Sequence, residues 1–285
     1  MLIYTIKRLL QIIPSFFILT AGVFYASLFM RGGPRLPYPA HIMYINYMRG
    51  VLRGDFGNIR HRAILDVLLD ALPYTAILAF GGIIVASVIG VFFGIIAAKN
   101  QNKLLDNIIM TFSLLTSSIP LFFLAVVLML FFSLHLRWLP TRGLESWQGM
   151  IMPIMTLGLP AIGFIARTTR TAMLDVLTMD AVKAARARGI PERTIIYSHA
   201  LKNMLIPVMT AIAVRLGELL AGTVLVELSF SIPGIGRLLL DAIVDRHLPM
   251  LMGCVIVLGL AFMLINLIVD LLYAVVDPRT AKSMR

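Results

Sequence analysis

The sequence predicts an all-α membrane protein of six membrane-crossing helices, and three observations lead there. Hydrophobic residues make up 59% of the 285 residues and charged ones only 14%, which leaves far more apolar surface than one soluble core can bury. The apolar residues gather into sparsely charged runs at about 9–30, 72–98, 107–134, 150–166, 206–230 and 250–272, each long enough as a helix to cross the hydrocarbon. The basic residues sit between those runs, so the net charge of +11 answers to lipid headgroups and partner subunits rather than to nucleic acid.

The first run follows Lys7 and Arg8. It is too long for a signal-peptide core and lacks a small-residue cleavage site, so it is expected to remain as an anchor, with Pro14 tolerated among neighbouring helices. Residues 31–70 form an external segment. The glycines and prolines of GGPRLPYP exclude regular structure until about Ala40, and the apolar residues of His41–Leu52 then predict a short interfacial helix with its tyrosines at headgroup depth. Gly54 and Gly57 end it, and Arg62–Leu72 reads as a second short amphipathic helix leading into the membrane.

Runs two and three exceed the roughly 30 Å core, so each is expected to tilt or protrude. The short KNQNKLLD joins them, and HLRWLPTRGLESWQG after the third places Trp138 and Trp147 at an interface. Pro153 and Pro160 interrupt run four. Lys and Arg are slightly commoner on the side that holds both termini, and much commoner once 31–70 is set aside; both termini are therefore placed in the cytoplasm.

Between runs four and five, over 170–205, the chain makes its longest polar interruption in this half, with DAVKAARARGIPERTIIYSHALKNMLIP at 180–207. Met173–Arg188 contains no Gly or Pro, and Ala recurs at 181, 184, 185 and 187, so a helix with a small-residue face is expected. Gly189 can cap it in the left-handed conformation, and Pro191 suits the first turn of a second helix running toward Asn203. Such a knob fits a partner's cleft. The same residues also describe a basic hairpin lying on anionic lipid.

This stretch resembles the cytoplasmic coupling loop, the EAA motif, of ABC importer permeases, with Ala184, Ala185 and Gly189 at the motif's two alanines and its glycine. Lys183 stands where the general motif has Glu, and Pro207 lies farther from Gly189 than the general pattern allows. Both departures, with ARARG at 185–189 and HALKN at 199–203, resemble the dipeptide, oligopeptide and nickel permease subfamily. So do LRGDFG at 52–57, ELSFSIPGIGRLL from Glu227 with its Pro233, Gly234, Gly236 and Arg237, and NLIVDLLYAVVDPR from Asn266. The external segment is shorter than that family's usual one.

The resemblance implies one permease domain over 1–285 in a bacterial inner membrane, paired with a second permease and served by two ABC ATPase subunits and an extracytoplasmic binding protein. It implies that Asp180, Lys183, Ala184, Ala185, Arg188, Gly189 and Pro207 form the ATPase-coupling loop, with the elbow at Gly189 carrying motion to spans four and five. The segment after Glu227 would turn on the external side. The cargo would be short peptides, or nickel or metal chelates, with no cofactor and no chemistry performed by this chain.

The residues themselves agree on the last point. No Gly-Lys pair exists to build a phosphate-binding loop, and no HExxH spacing occurs. His41, His61, His135, His199 and His247 are scattered as surface or interfacial residues rather than metal ligands. Cys254 reads as a packed thiol, and the 17 methionines as apolar filler. Arg215 and Glu218, at i and i+3 inside run five, either lock the helix as an ion pair or line the translocation path. GELLAG around Glu218 resembles the nickel branch of the subfamily. Asn266 and Asp270 share a face of run six, suited to packing or capping. Two other classes fit the residues: an ion-gradient transporter with Arg215, Glu218 and Asp270 as a relay, and a membrane scaffold recruiting a partner through the basic hairpin.

Overall fold

The computed structural model describes residues 2–30, 39–141, 146–191, 194–195 and 201–276. The expectations for 31–38, for His199 and most of the second hairpin helix, for the Asp270 side chain and for the tail from Asp277 lie outside these residues. In chain order the elements are α1 (Leu2–Met30), α2 (Ala40–Val51), β1 (Asn58–Ile59), β2 (Arg62–Ala63), α3 (Ile64–Lys99), α4 (Leu104–Ser118), α5 (Leu121–Leu128), α6 (Gln148–Leu177), α7 (Asp180–Ala187), α8 (Leu201–Ser229), α9 (Ile235–Val244) and α10 (Leu248–Val276). Among the described residues five helices are long and apolar enough to cross a membrane, and a sixth crossing results if one bent pair counts as a single span. On α3, Ile77, Phe80, Ile84, Val88 and Phe92 are all exposed at the spacing of one helix face. Water would penalise that stripe, whereas lipid requires it.

The third run, expected as one helix over 107–134, is two helices bent by 107°. Pro120 explains the break. A proline disfavours the helical region for the residue before it, and Ile119 accordingly takes φ −81°, ψ 128°, so α4 stops and α5 restarts with Pro120 as its N-cap. Seven π-helical residues, Met129–His135, continue α5. Run four differs in the opposite sense: α6 passes through Pro153 and Pro160 without interruption. The second amphipathic helix expected over Arg62–Leu72 is instead strand β2 at Arg62–Ala63 followed by the first part of α3 from Ile64. Its Ile64 and Leu68 are fully buried, and no breaker separates them from the span until Pro73, which the helix absorbs.

The chain divides into two compact units. The first comprises residues up to Ile77 together with Thr223–Leu271. Its core gathers Phe56, Ile64, Leu68, Ile235, Cys254 and Ile256. There α2 docks on α1 through a 2.8 Å hydrogen bond between the Tyr44 and Thr20 hydroxyls and through Phe24 against the Tyr44 ring, 5.5 Å between centroids. A two-stranded hairpin pairs Asn58 with Ala63 and Ile59 with Arg62. Its turn residues Arg60 and His61 both have positive φ, 46° and 68°.

The carboxylate of Glu227, fully buried, organises the rest of this unit. Thr75 Oγ1 donates to it at 2.7 Å and in turn accepts from the Ile235 N–H at 2.9 Å. The Arg237 N–H donates to the other carboxylate oxygen at 2.9 Å, and the Gly236 N–H and Thr223 hydroxyl also bond to the group. These N–H groups belong to the first turn of α9, where a helix has no internal acceptors and its dipole favours a negative charge. Gly236 is required by space: a Cβ there would stand 2.6 Å from the Val224 Cα and 2.9 Å from a Glu227 carboxylate oxygen.

The second unit comprises the described residues of Leu78–Gly222 together with the end of α10 from Leu272. In it α6 is the most enclosed span, with 61% of its apolar window buried, and α4 packs along it. Asp106, 2% exposed, takes a bidentate pair of 2.6 Å hydrogen bonds from Arg170 and a third, at 2.9 Å, from the Asn102 N–H. That fork ties α4 and the turn before it to α6.

Gly236→Ala and Glu227→Ala are both expected to loosen α9. The first collides with α8; the second leaves the Thr75 hydroxyl and first-turn N–H groups unpaired, at about 1–3 kcal/mol for each buried group. Detergent-solubilised variants should melt lower and be cut faster by protease within 230–247. Asp241→Asn, which touches only an exposed 3.9 Å pair with Arg237, should behave as wild type.

Candidate coupling elbow and charged cavity

The helix expected over Met173–Arg188 is two helices. α6 ends at Leu177, Met179 turns extended at φ −63°, ψ 147°, and α7 begins at Asp180. Asp180 in the first turn of α7 suits the positive helix end, while an Arg186 guanidinium N–H donates at 3.2 Å to the Leu177 carbonyl left open at the end of α6. Gly189 has φ +75°. Its N–H bonds to the Arg186 carbonyl at 2.9 Å, and the Ile190 N–H bonds to the Ala185 carbonyl at 3.2 Å. This is the paired closure of a Schellman motif.

The helix α7 has two unlike faces. Val182 and Ala185, three residues apart, are buried in a core with Met173, Val176, Ile195, Met204 and Val208, and Ile190 packs against it. Asp180, Lys183, Ala184 and Arg188 are exposed, with Lys183 and Asp180 joined at the surface by a 2.9 Å ion pair. The two motif alanines thus do different work: Ala185 anchors the elbow to its own chain, and Ala184 belongs to the open face. Pro207 is an exposed residue inside α8, on the next helix rather than on the elbow.

Arg215 and Glu218 do meet, through an Arg215 Nη1 to Glu218 carboxylate hydrogen bond. The Arg215 guanidinium also lies 3.9 Å over the Phe164 ring. The pair is not sealed in: the Arg215 side chain is 26% and that of Glu218 55% exposed. Both line a small cavity of about 140 Å³ with Leu121, Leu157, Pro160 and Gly222. Arg167, missed in the sequence because it follows the apparent end of run four, stands on α6 one turn beyond Phe164. It donates to the Ser113 carbonyl at 2.6 Å and to Ser117 Oγ at 3.3 Å. Glu227 and the Asp106–Arg170 fork were also unassigned by sequence, since their partners lie far along the chain. Among the described residues no cluster of His, Cys, Asp and Glu is arranged to hold a metal ion.

A multi-pass helical protein that presents a capped elbow between two spans, with charge held open inside a span, is built as a membrane permease. Over residues 90–282 the chain matches the family described as binding-protein-dependent transport system inner membrane component. It is 36% identical over 301 aligned positions, 98% of each chain, to the glutathione transport system permease protein GsiC of Salmonella choleraesuis (strain SC-B67) and to that of Escherichia coli (strain K12). Among solved structures, the inward-facing MetNI methionine ABC transporter (CY5 native crystal form) aligns with a TM-score of 0.64 at 19% identity, covering 75% of this chain and 98% of that one; that likeness speaks for the fold. The chain belongs to the binding-protein-dependent inner-membrane permease family, as a permease subunit of an ABC importer of the dipeptide, oligopeptide and nickel type. It is a multi-pass inner-membrane component and not itself a catalyst.

The two alanines can be told apart by experiment. Ala185→Arg forces a long charged side chain into the core of Met173, Val176, Met204 and Val208, so membrane yield and melting temperature should fall. Ala184→Arg, on the open face, should leave both near wild type.

Proposed function

We propose that this permease, with a second homologous permease, forms the path by which short peptides or peptide-like solutes enter the cell, delivered by an extracytoplasmic binding protein. ATP hydrolysis takes place on two separate ATPase subunits, and both termini lie in the cytoplasm with the elbow. The exposed face of α7, Asp180, Lys183, Ala184 and Arg188, docks on an ATPase; Ala185 and Gly189 fix its geometry, and motion passes through the elbow to α6 and α8. Because the relatives at 36% identity are named as glutathione permeases, a peptide-like cargo is favoured over nickel.

The observation that carries the path is Glu218. A carboxylate 55% exposed in the middle of a span is costly against lipid and is kept where it faces a cavity or a passing ligand. Its partner Arg215 limits how strongly it holds a cation or a peptide's amino group.

Replacing both with apolar residues, Arg215→Met with Glu218→Leu, separates structure from transport, since a purely structural pair tolerates such an exchange. A stable, assembled complex with greatly reduced ATP-dependent uptake in vesicles is expected; normal uptake would remove the pair from the path. For the elbow, Ala184→Arg should lose its ATPase subunits during purification. Gly189→Val should retain them yet lose ATPase stimulation, because a side chain in the left-handed conformation costs about 1–2 kcal/mol and re-aims the chain beyond it.

A further inference from the structure

The charges of the second unit do not balance locally. Asp106 is engaged by Arg170 through both carboxylate oxygens, and Glu218 by Arg215 through one. Arg167 has only neutral acceptors, the Ser113 carbonyl and Ser117 Oγ, and stands within Coulombic reach of Arg215. Phe164 brings the two together: it carries the Arg215 guanidinium on its ring face and precedes Arg167 by one turn of α6. Arg215 Nε, in addition, is buried without an acceptor. The group Arg167, Arg215 and Glu218 therefore holds one positive charge more than negative. In a membrane span an uncompensated guanidinium marks a place where a counter-charge visits. Guanidinium forks match planar carboxylates in geometry as well as charge. Arg215, Glu218 and Pro160 line a cavity of about 140 Å³, and Arg167 reaches its edge through Ser117 Oγ, which donates to the Pro160 carbonyl at 3.4 Å; the cavity is too small for a whole peptide but admits a carboxylate and a water or two.

We infer that Arg167 and Arg215 form an anion subsite that receives a carboxylate of the passing solute, while Glu218 competes for Arg215 and keeps the hold loose. This inference rests on the reading of the chain as a path for peptide-like solutes. It adds that selection for a free carboxylate occurs within the permease itself.

The test uses the complete transporter in proteoliposomes, with glutathione and glutathione diethyl ester as probes. Arg167→Gln should lower ATP-dependent glutathione uptake about tenfold, the scale of one lost charge-assisted hydrogen bond, and change ester uptake little, so that the preference for the free acid collapses relative to wild type. Arg167→Lys, which keeps the charge without the fork, should fall between. Independently, phenylglyoxal labelling of Arg167 in the wild-type complex, read by peptide mass spectrometry, should be slowed several-fold by glutathione and not by the ester. An undiminished free-acid preference in Arg167→Gln, or labelling indifferent to glutathione, overturns the subsite. If neither probe is taken up with ATP while glutathione still protects Arg167, the subsite stands and the peptide-import reading falls.

Discussion

Hydrocarbon supplies neither hydrogen bonds nor counter-charge, and that constraint shapes most of the polar groups described in the spans of this chain. Hydroxyls turn back on their own helices: Thr156 bonds the Met152 carbonyl at 2.8 Å, Thr210 that of Ile206 at 2.9 Å, Ser229 that of Leu225 at 2.8 Å. A charge must be met by something stronger. Asp106 finds a guanidinium fork; Glu227 finds a hydroxyl and the first-turn amides of a helix. Where both ends of an interaction lie on different elements, satisfying the charge also fixes the packing. The Asp106–Arg170 fork holds α4 to α6, and the Glu227 cradle holds α9 to the end of α8 and to Thr75 on α3.

The elbow is built by the complementary rule. Once the chain leaves the span its backbone can face water, so α7 needs only one buried stripe, Val182 and Ala185, to stay attached. That stripe shares a core with Met173 and Val176 of α6 and with Met204 and Val208 of α8. Packed interiors resist compression, so under the proposed docking a force on the open face of α7 would be passed to both helices rather than absorbed. The Schellman closure at Gly189 satisfies the last carbonyls of α7, in keeping with the rigidity that the proposed coupling role requires.

Composition and hydropathy made the spans legible, and the glycine at 189 made the elbow's cap legible, because both signals are local. What escaped had physical reasons of its own. Averaged over a window, Pro120 vanishes into the apolar residues around it, yet its effect on Ile119 bends the pair by 107°. The break at Thr178–Met179 uses neither Gly nor Pro. The hairpin turn at Arg60–His61 adopts two positive φ angles without the Asn-Gly or Asp-Gly signature that usually announces one. Glu227 meets Thr75 from 152 residues away, a distance over which no spacing rule operates. The two motif alanines differ by 100° around a helix, so only the packing of α7 could say which is anchor and which is face.

The charged groups sort by whether the fold has already used them. Glu227 is 0% exposed and Asp106 2%; each accepts several hydrogen bonds, and neither has anything left to offer a ligand. Glu218 holds one partner from a side chain more than half exposed, and Arg167 holds only neutral oxygens. A structural role would have been served as well by apolar residues, which pack into a span at no electrostatic cost. Charge that is both expensive to keep and unspent on the fold is therefore what the proposed path would offer a passing solute. It lies on α6 and α8, the two helices that the elbow joins.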